Sequence, residues 1–212
     1  MSWSSAGEDA TMLRLVVGPP ELSEARGLSG GVSAPMVSAA VSVVAWPGYV
    51  LDPTRLSGRL VQPVVEILPA GLDRVSAGVG PELDRSTLAM WESWTDGMGA
   101  SPPGQPLGIV GFVTAGTWRC AVTTSAWLAG YGASLIVCRS VPTSVRLSEA
   151  DYRGITVAVV DEHLSARVVI RGRSGPAPSA ERTVAVRYRE EYLFAAALSQ
   201  GRLSMRSSPR SE

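Results

Sequence analysis

Residues 107–124 read LGIVGFVTAGTWRCAVTT. The blocks Leu107–Thr114 and Thr117–Thr124 are rich in β-branched and aromatic residues, and Ala115-Gly116 between them has turn chemistry. This predicts a tight β-hairpin. Downstream, Ser134–Arg139 (SLIVCR), Ile155–Val160 (ITVAVV), Ala166–Arg171 (ARVVIR) and Thr183–Arg189 (TVAVRYR) have the composition of further strands. Ser148–Tyr152 suits a helical turn, and Gly172–Glu181 a polar loop. Glu190–Gln200 (EEYLFAAALSQ) reads as a helix, with two acids in its first turn and Gly201 at the C-cap position. Residues 107–201 are therefore expected to form an α+β domain, a largely antiparallel meander roofed by a C-terminal helix. Residues 202–212 read as a disordered Arg/Ser tail.

Upstream, Asp96–Pro106 (DGMGASPPGQP) has the composition of a linker. Residues 27–95 then form a smaller, more helical subdomain. Val37–Ala45 is ambiguous between helix and strand. Asp52-Pro53 offers an N-cap followed by a first-turn proline, with Leu56, Leu60, Val64 and Ile67 at helical spacing and Pro63 as a kink. Glu82–Trp94 suits a second short helix. Residues 1–26 are expected to be partly ordered, with a short strand at Thr11–Val17 stopped by Gly18-Pro19-Pro20 and one helical turn at Glu21–Arg26.

The 212-residue chain is 45% apolar and 18% charged, enough for a sizeable core. It contains 19 Arg against 19 Asp plus Glu, and neither Lys nor Asn, which points to a GC-rich coding region. Zero net charge argues against bulk nucleic-acid binding, which needs a surplus of cations at the contact. The charge is unevenly placed. Residues 1–138 hold 7 Arg and 11 acids, and residues 139–212 hold 12 Arg and 8 acids. Opposite halves suit self-association or an acidic partner. Met1–Ala10 lacks the basic start and apolar run of a secretory signal. Two uncharged runs, 27–51 and 120–138, approach bilayer length but are poor in Leu and Ile, so buried soluble elements are the expected reading. Cys120 and Cys138 form neither a disulfide framework nor a zinc set and read as small buried thiols.

The candidate sites are few. Gly27–Gly31 matches G-x-S-x-G around Ser29, but a polar stretch precedes it and the single histidine, His163, is distant in sequence. Ser29–Val44 loosely resembles the segment around the nucleophile of subtilisin-like proteases. With Ala34-Pro35 matched, however, Gly31 stands where the serine belongs, which rules out an active enzyme. Asp161-Glu162-His163 is a polar cluster whose three adjacent residues cannot converge on one ion, so no metal and no cofactor is expected. Arg139, Arg167, Arg171, Arg187 and Arg189 would line a sheet face and bind an anion. Trp91 and Trp94 suit a core or subunit contact, and where exposed would mark a protein-binding spot.

The hairpin 107–124, the strand SLIVCR followed by VRLSEADY, and TVAVRYREEYLFAAAL together resemble type VII (ESX) secretion-associated chaperones of the EspG type. The resemblance covers the last half of the chain and implies an α+β fold and a cytoplasmic role in keeping helical substrates soluble for export. It carries over no functional residue.

Three functions follow. The first is a non-enzymatic protein-binding module, with partner contacts at Trp91 and Trp94. The second is a small-molecule binder or enzyme with a pocket between the halves, using Arg139, Asp161, His163 and Arg187. The third is a membrane-associated protein using 27–51 and 120–138.

Overall fold

A computed structural model describes residues 28, 31–95 and 99–203. The expected strand at 11–17, the turn at 21–26, Ser29 and most of the tail lie outside the described residues. The elements are α1 (Ala34–Val44), β1 (Tyr49–Val50), β2 (Thr54–Leu56), β3 (Arg59–Ile67), α2 (Pro69–Ser76), α3 (Arg85–Glu92), β4 (Leu107–Thr114), α4 (Trp118–Leu128), β5 (Ala133–Cys138), α5 (Ser144–Tyr152), β6 (Thr156–Val160), β7 (Ala166–Ile170) and α6 (Val184–Ser199). The expected α+β class, with a C-terminal helix over the sheet, is what the chain adopts.

One mixed sheet runs in the order β1-β3-β4-β5-β6-β7, with β2 also paired to β3. The pairings β1·β3, β2·β3, β3·β4 and β6·β7 are antiparallel, whereas β4·β5 and β5·β6 are parallel. Parallel neighbours need a crossover, and α4 and α5 supply the two crossovers. The expected hairpin at 107–124 is thus corrected to strand, crossover helix, strand. Thr117 caps α4, its hydroxyl accepting from the Cys120 N–H at 3.4 Å. Ala121, Val122, Thr124, Ser125 and Leu128 are buried at helical spacing. Burial of that face outweighs the strand propensity of TWRCAVTT.

Residues 53–67 are corrected in the opposite sense. They form the β2–β3 hairpin, turned at Ser57-Gly58, where φ is 51° and 77°. Two successive positive φ values are the signature of the tight turn whose twist matches that of the strands it joins. The separate subdomain 27–95 is also corrected: its β1, β2 and β3 join the sheet of 107–201, with Val64 opposite Gly111 of β4. The segment 96–106 therefore links adjacent strands of one sheet.

The core has two sides. On one, Met36, Val37, Ala40 and Val41 of α1 pack on Val64, Val113, Leu135, Val137, Ala158 and Val160. On the other, Leu193, Phe194 and Ala197 of α6 pack on Val61, Val65, Leu107 and Phe112. Ala121 and Val122 of α4 and Ala150 of α5 pack there too, on Ile136 and Val157. Two crossovers that step the same way along a sheet with the same hand place both helices on one face.

The expected strand at 183–189 is the first half of α6. That helix buries Arg187, Glu190 and Glu191 beside Leu193, Phe194 and Ala197. A buried face that carries charges erases the apolar periodicity by which a helix is recognised. Glu191 is wholly buried, and both its oxygens are paired with Arg74 of α2, at 2.7 and 2.9 Å. It also accepts from the Glu82 N–H at 3.0 Å and lies 3.3 Å from Arg187. Arg187 in turn donates to the carbonyls of Pro103 and Gly104 at 2.8 and 3.1 Å. At the end of this strap, Leu68 N–H donates to the Pro106 carbonyl at 3.1 Å. Gly71 lies so close to that oxygen that an added Cβ would stand 2.1 Å from it. The expected linker is therefore tied down along the side of α6.

Removing one member of a buried charge set leaves the others uncompensated. Glu191→Ala, which strands Arg74 and Arg187, is expected to destabilise the fold by about 3–5 kcal/mol in chemical denaturation. Asp84 caps α3, accepting from the Ser86 hydroxyl and from the Thr87 N–H at 2.9 Å. These bonds, led by that from Ser86, lower its pKa from 3.8 to about 2. A lowered carboxyl pKa stabilises the fold above 3.8, and that contribution fades as pH falls through about 2. Asp84→Asn should keep the cap yet flatten this acid limb in melting curves recorded against pH.

Candidate functional site

The residues singled out from sequence do not converge. Arg139 follows β5 and is exposed. Asp161 follows β6 and makes a polar turn, its Oδ1 accepting from the N–H groups of His163 and Ser165, each at 2.9 Å. The His163 ring is 83% exposed, with Nε2 3.8 Å from the Glu162 carboxylate. Arg139 and Asp161 share the C-terminal end of the parallel strands. Arg187 is buried instead in α6, against the segment that leads into β4. The expected ligand set of Arg139, Asp161, His163 and Arg187 is therefore corrected: Arg187 belongs to the charge network. The expected five-arginine sheet face fails for the same reason, since Arg187 and Arg189 lie on a helix.

Trp91 and Trp94 are half-buried. The guanidinium of Arg187 sits 5.4 Å from the Trp91 ring centroid. Trp91 thus braces the network from α3, a core contact rather than an exposed protein-binding spot. Around it, Arg182 joins Glu190 at 3.0 Å and Glu92 at 3.2 Å, while Gln105 donates to Glu190 at 2.8 Å. Burial pushes the Glu190 carboxyl up, against the pull of Arg182. Burial likewise lowers the Arg187 pKa, against Glu191 and Glu190. Every charge here has a protein partner, so the network closes on itself and its role is structural. Among the described residues no three His, Cys, Asp or Glu side chains are placed to hold a metal.

The open surface lies on the outer side of the crossover helices. A groove of about 540 Å³ runs between α4 and α5, lined by Trp118, Val122, Ala126 and Trp127 of α4 and by Glu149 and Arg153 of α5. Trp118 Nε1 donates to Glu149 Oε2 at 2.8 Å, bridging the two helices. Arg153 lies 3.4 Å from the same carboxylate. Trp127 is 61% exposed, and on α5 Val145 is 78% and Tyr152 90% exposed. Large apolar side chains gathered on one face mark an interaction surface. Four cations surround them. Arg59 lies 5.5 Å from the Trp127 ring and Arg146 6.0 Å from that of Trp118, while Arg119 and Arg153 line the groove. Sequence reasoning missed this site. Reading 117–124 as a strand ends the element before Ala126 and Trp127, which the helix places beside Trp118 and Val122.

The runs 27–51 and 120–138 are each broken. The first becomes α1, a left-handed turn at Ala45 with φ 60°, and β1; the second becomes most of α4, a loop and β5. Among the described residues no helix is long and apolar enough to cross a membrane. Cys120 and Cys138 are unpaired. Cys138 is half-buried, and burial pushes its thiol pKa up. Cys120 is exposed on α4, correcting the expectation that it is buried. Iodoacetamide at neutral pH is therefore expected to alkylate Cys120 and spare Cys138, as peptide mass mapping would show.

Compared with protein families, curated proteins and solved structures, the chain finds no match.

Proposed function

We propose that this chain is a non-catalytic protein-binding module that receives an acidic amphipathic helix in the α4–α5 groove. The observation that carries this reading is the exposure of Trp127 in a groove lined by Arg119 and Arg153, with Arg59 near the Trp127 ring, Arg146 near that of Trp118, and Tyr152 exposed on the neighbouring helix. A groove between two helices suits a third helix, whose apolar stripe would cover the aromatic residues. Glu149 is occupied by Trp118 and Arg153, so the unpaired charge on the rim is positive and favours a partner with acids flanking that stripe. A role as chaperone or adaptor for secreted helical substrates agrees with this occupant, and it rests on the resemblance to type VII secretion chaperones. Two unpaired cysteines suit a cytoplasmic place of work.

A photo-crosslinking residue at position 127, with position 55 as control, tests the reading in the host cell. The expected result is a partner cross-linked from 127 alone, through a helical segment with acidic flanks. Trp127→Glu combined with Tyr152→Glu should abolish that product and weaken binding of the isolated segment by about 2 kcal/mol or more, roughly thirtyfold in Kd. Melting should be unaffected, because both side chains project into solvent. Cross-links only to a second copy of this chain, or equal yields from 127 and 55, would overturn it.

A further inference from the structure

A second cavity, of about 460 Å³, lies at the C-terminal end of α1, where the segment after β7 folds against the start of β4. Trp46, Ile109 and Val110 give it apolar walls, and Glu66, Arg171 and Arg173 stand in its lining. The walls are fixed. The Trp46 ring packs on Gly111 of β4 so tightly that an added Cβ would stand 2.6 Å from it. Opposite it, the Arg173 guanidinium lies over Gly154, 2.5 Å from where a Cβ there would be. The backbone of the segment is also pinned, Gly172 N–H donating to the Thr156 hydroxyl at 3.0 Å and Arg173 N–H to the Gly154 carbonyl at 3.0 Å.

Arg171 and Glu66 are exposed at the cavity mouth, and Arg173 is half-buried. Among the described residues neither Arg171 nor Arg173 makes an ion pair, unlike Arg74, Arg182 and Arg187 in the network along α6. The Arg173 Nε is buried and has no hydrogen-bond acceptor there. A half-buried guanidinium without an ion pair, in one cavity with a packed indole, suits a planar anion, since guanidinium pairs with carboxylate through two parallel hydrogen bonds. Glu66 narrows the class. Its carboxylate would repel a polyanion but accept a hydrogen bond from a ligand N–H or O–H. The volume is within the usual range for small-molecule sites.

We propose that this cavity is a binding site for a small aromatic monocarboxylate that also carries a hydrogen-bond donor. The ring lies against Trp46, the carboxylate meets Arg171 and Arg173, and the donor meets Glu66. The site is separate from the α4–α5 groove and stands whether or not that groove binds a partner helix.

Calorimetric titration of the full chain with benzoate, 4-hydroxybenzoate, indole-3-acetate, indole-3-acetamide and AMP tests it. At least one acid should bind below about 1 mM, and indole-3-acetate should outbind its neutral amide by about tenfold or more. Two variants locate the site. Arg171→Gln with Arg173→Gln removes the charge. Gly108→Leu fills the space, because Gly108 lines the cavity and a Cβ there meets no atom within 4 Å. Each should weaken binding about tenfold or more while melting stays at the wild-type temperature. Absence of binding by all three acids, equal affinity for acid and amide, tighter binding of AMP, or indifference to both variants would overturn the proposal.

Discussion

Glu191 has no contact with solvent, and the fold is arranged so that it need not have one. A carboxylate in that position must find its full complement of donors inside the protein. Arg74 comes from α2, Arg187 from the preceding turn of α6, and a backbone N–H from Glu82. Satisfying this one group therefore fixes three parts of the chain at once. It seats α6 on the sheet, sets α2 beside it, and draws the segment between α2 and β4 along its flank, where Pro103 and Gly104 complete the shell of Arg187. Buried ion pairs add little net stability compared with apolar packing, but they tolerate few alternatives. Here the pair selects which surface of α6 faces inward, a choice that the weakly patterned helix would otherwise leave open.

With α6 so placed, the remaining surfaces follow from topology. Both crossovers leave their helices on the side that α6 occupies, and α1 is the one helix of the described residues on the other. The inner faces of α4 and α5 supply small buried residues to the sheet, and their outer faces carry Trp127, Val145 and Tyr152, with no further layer above them among the described residues. The groove is thus a consequence of a helical layer with an uncovered outer side. The cavity at the end of α1 has a different origin. It lies between the end of α1, the start of β4 and the chain after β7.

Much of the fold was legible in the chain. SLIVCR, ITVAVV and ARVVIR are short, apolar and β-branched, and the structure makes β5, β6 and β7 of them. The helix over 82–94 was legible from spacing, and the helical character of 190–200 from its Ala-rich composition, although α6 starts at Val184 and places Glu190 and Glu191 in its middle rather than its first turn. The errors have specific causes. TWRCAVTT has strand composition but helical burial. Leu56, Leu60, Val64 and Ile67 keep a helical spacing by coincidence, while Ser57-Gly58, the turn signal that should have overruled it, was passed over. TVAVRYR alternates like a strand because half of its buried helical face is charged. The candidate sites suffered more than the fold. The strand reading of 183–189 put Arg187 on a sheet face, whereas the helix buries it, and ending the element at Thr124 left Trp127 out of view.

By itself the sequence determined the composition of a core, the positions of strand-forming runs, the punctuation by Gly and Pro, and the α+β class. These depend on local propensity and on which residues avoid water, and both are properties of short windows. Only the tertiary structure decided that 107–138 is a parallel crossover unit, that the two expected halves share one sheet, and that the charges of α6 lie inside. The physical reason is common to all three. A helix that buries Glu191 and Arg187 is favourable only when Arg74, Glu82 and Pro103 arrive from elsewhere in the chain, and no local window contains them.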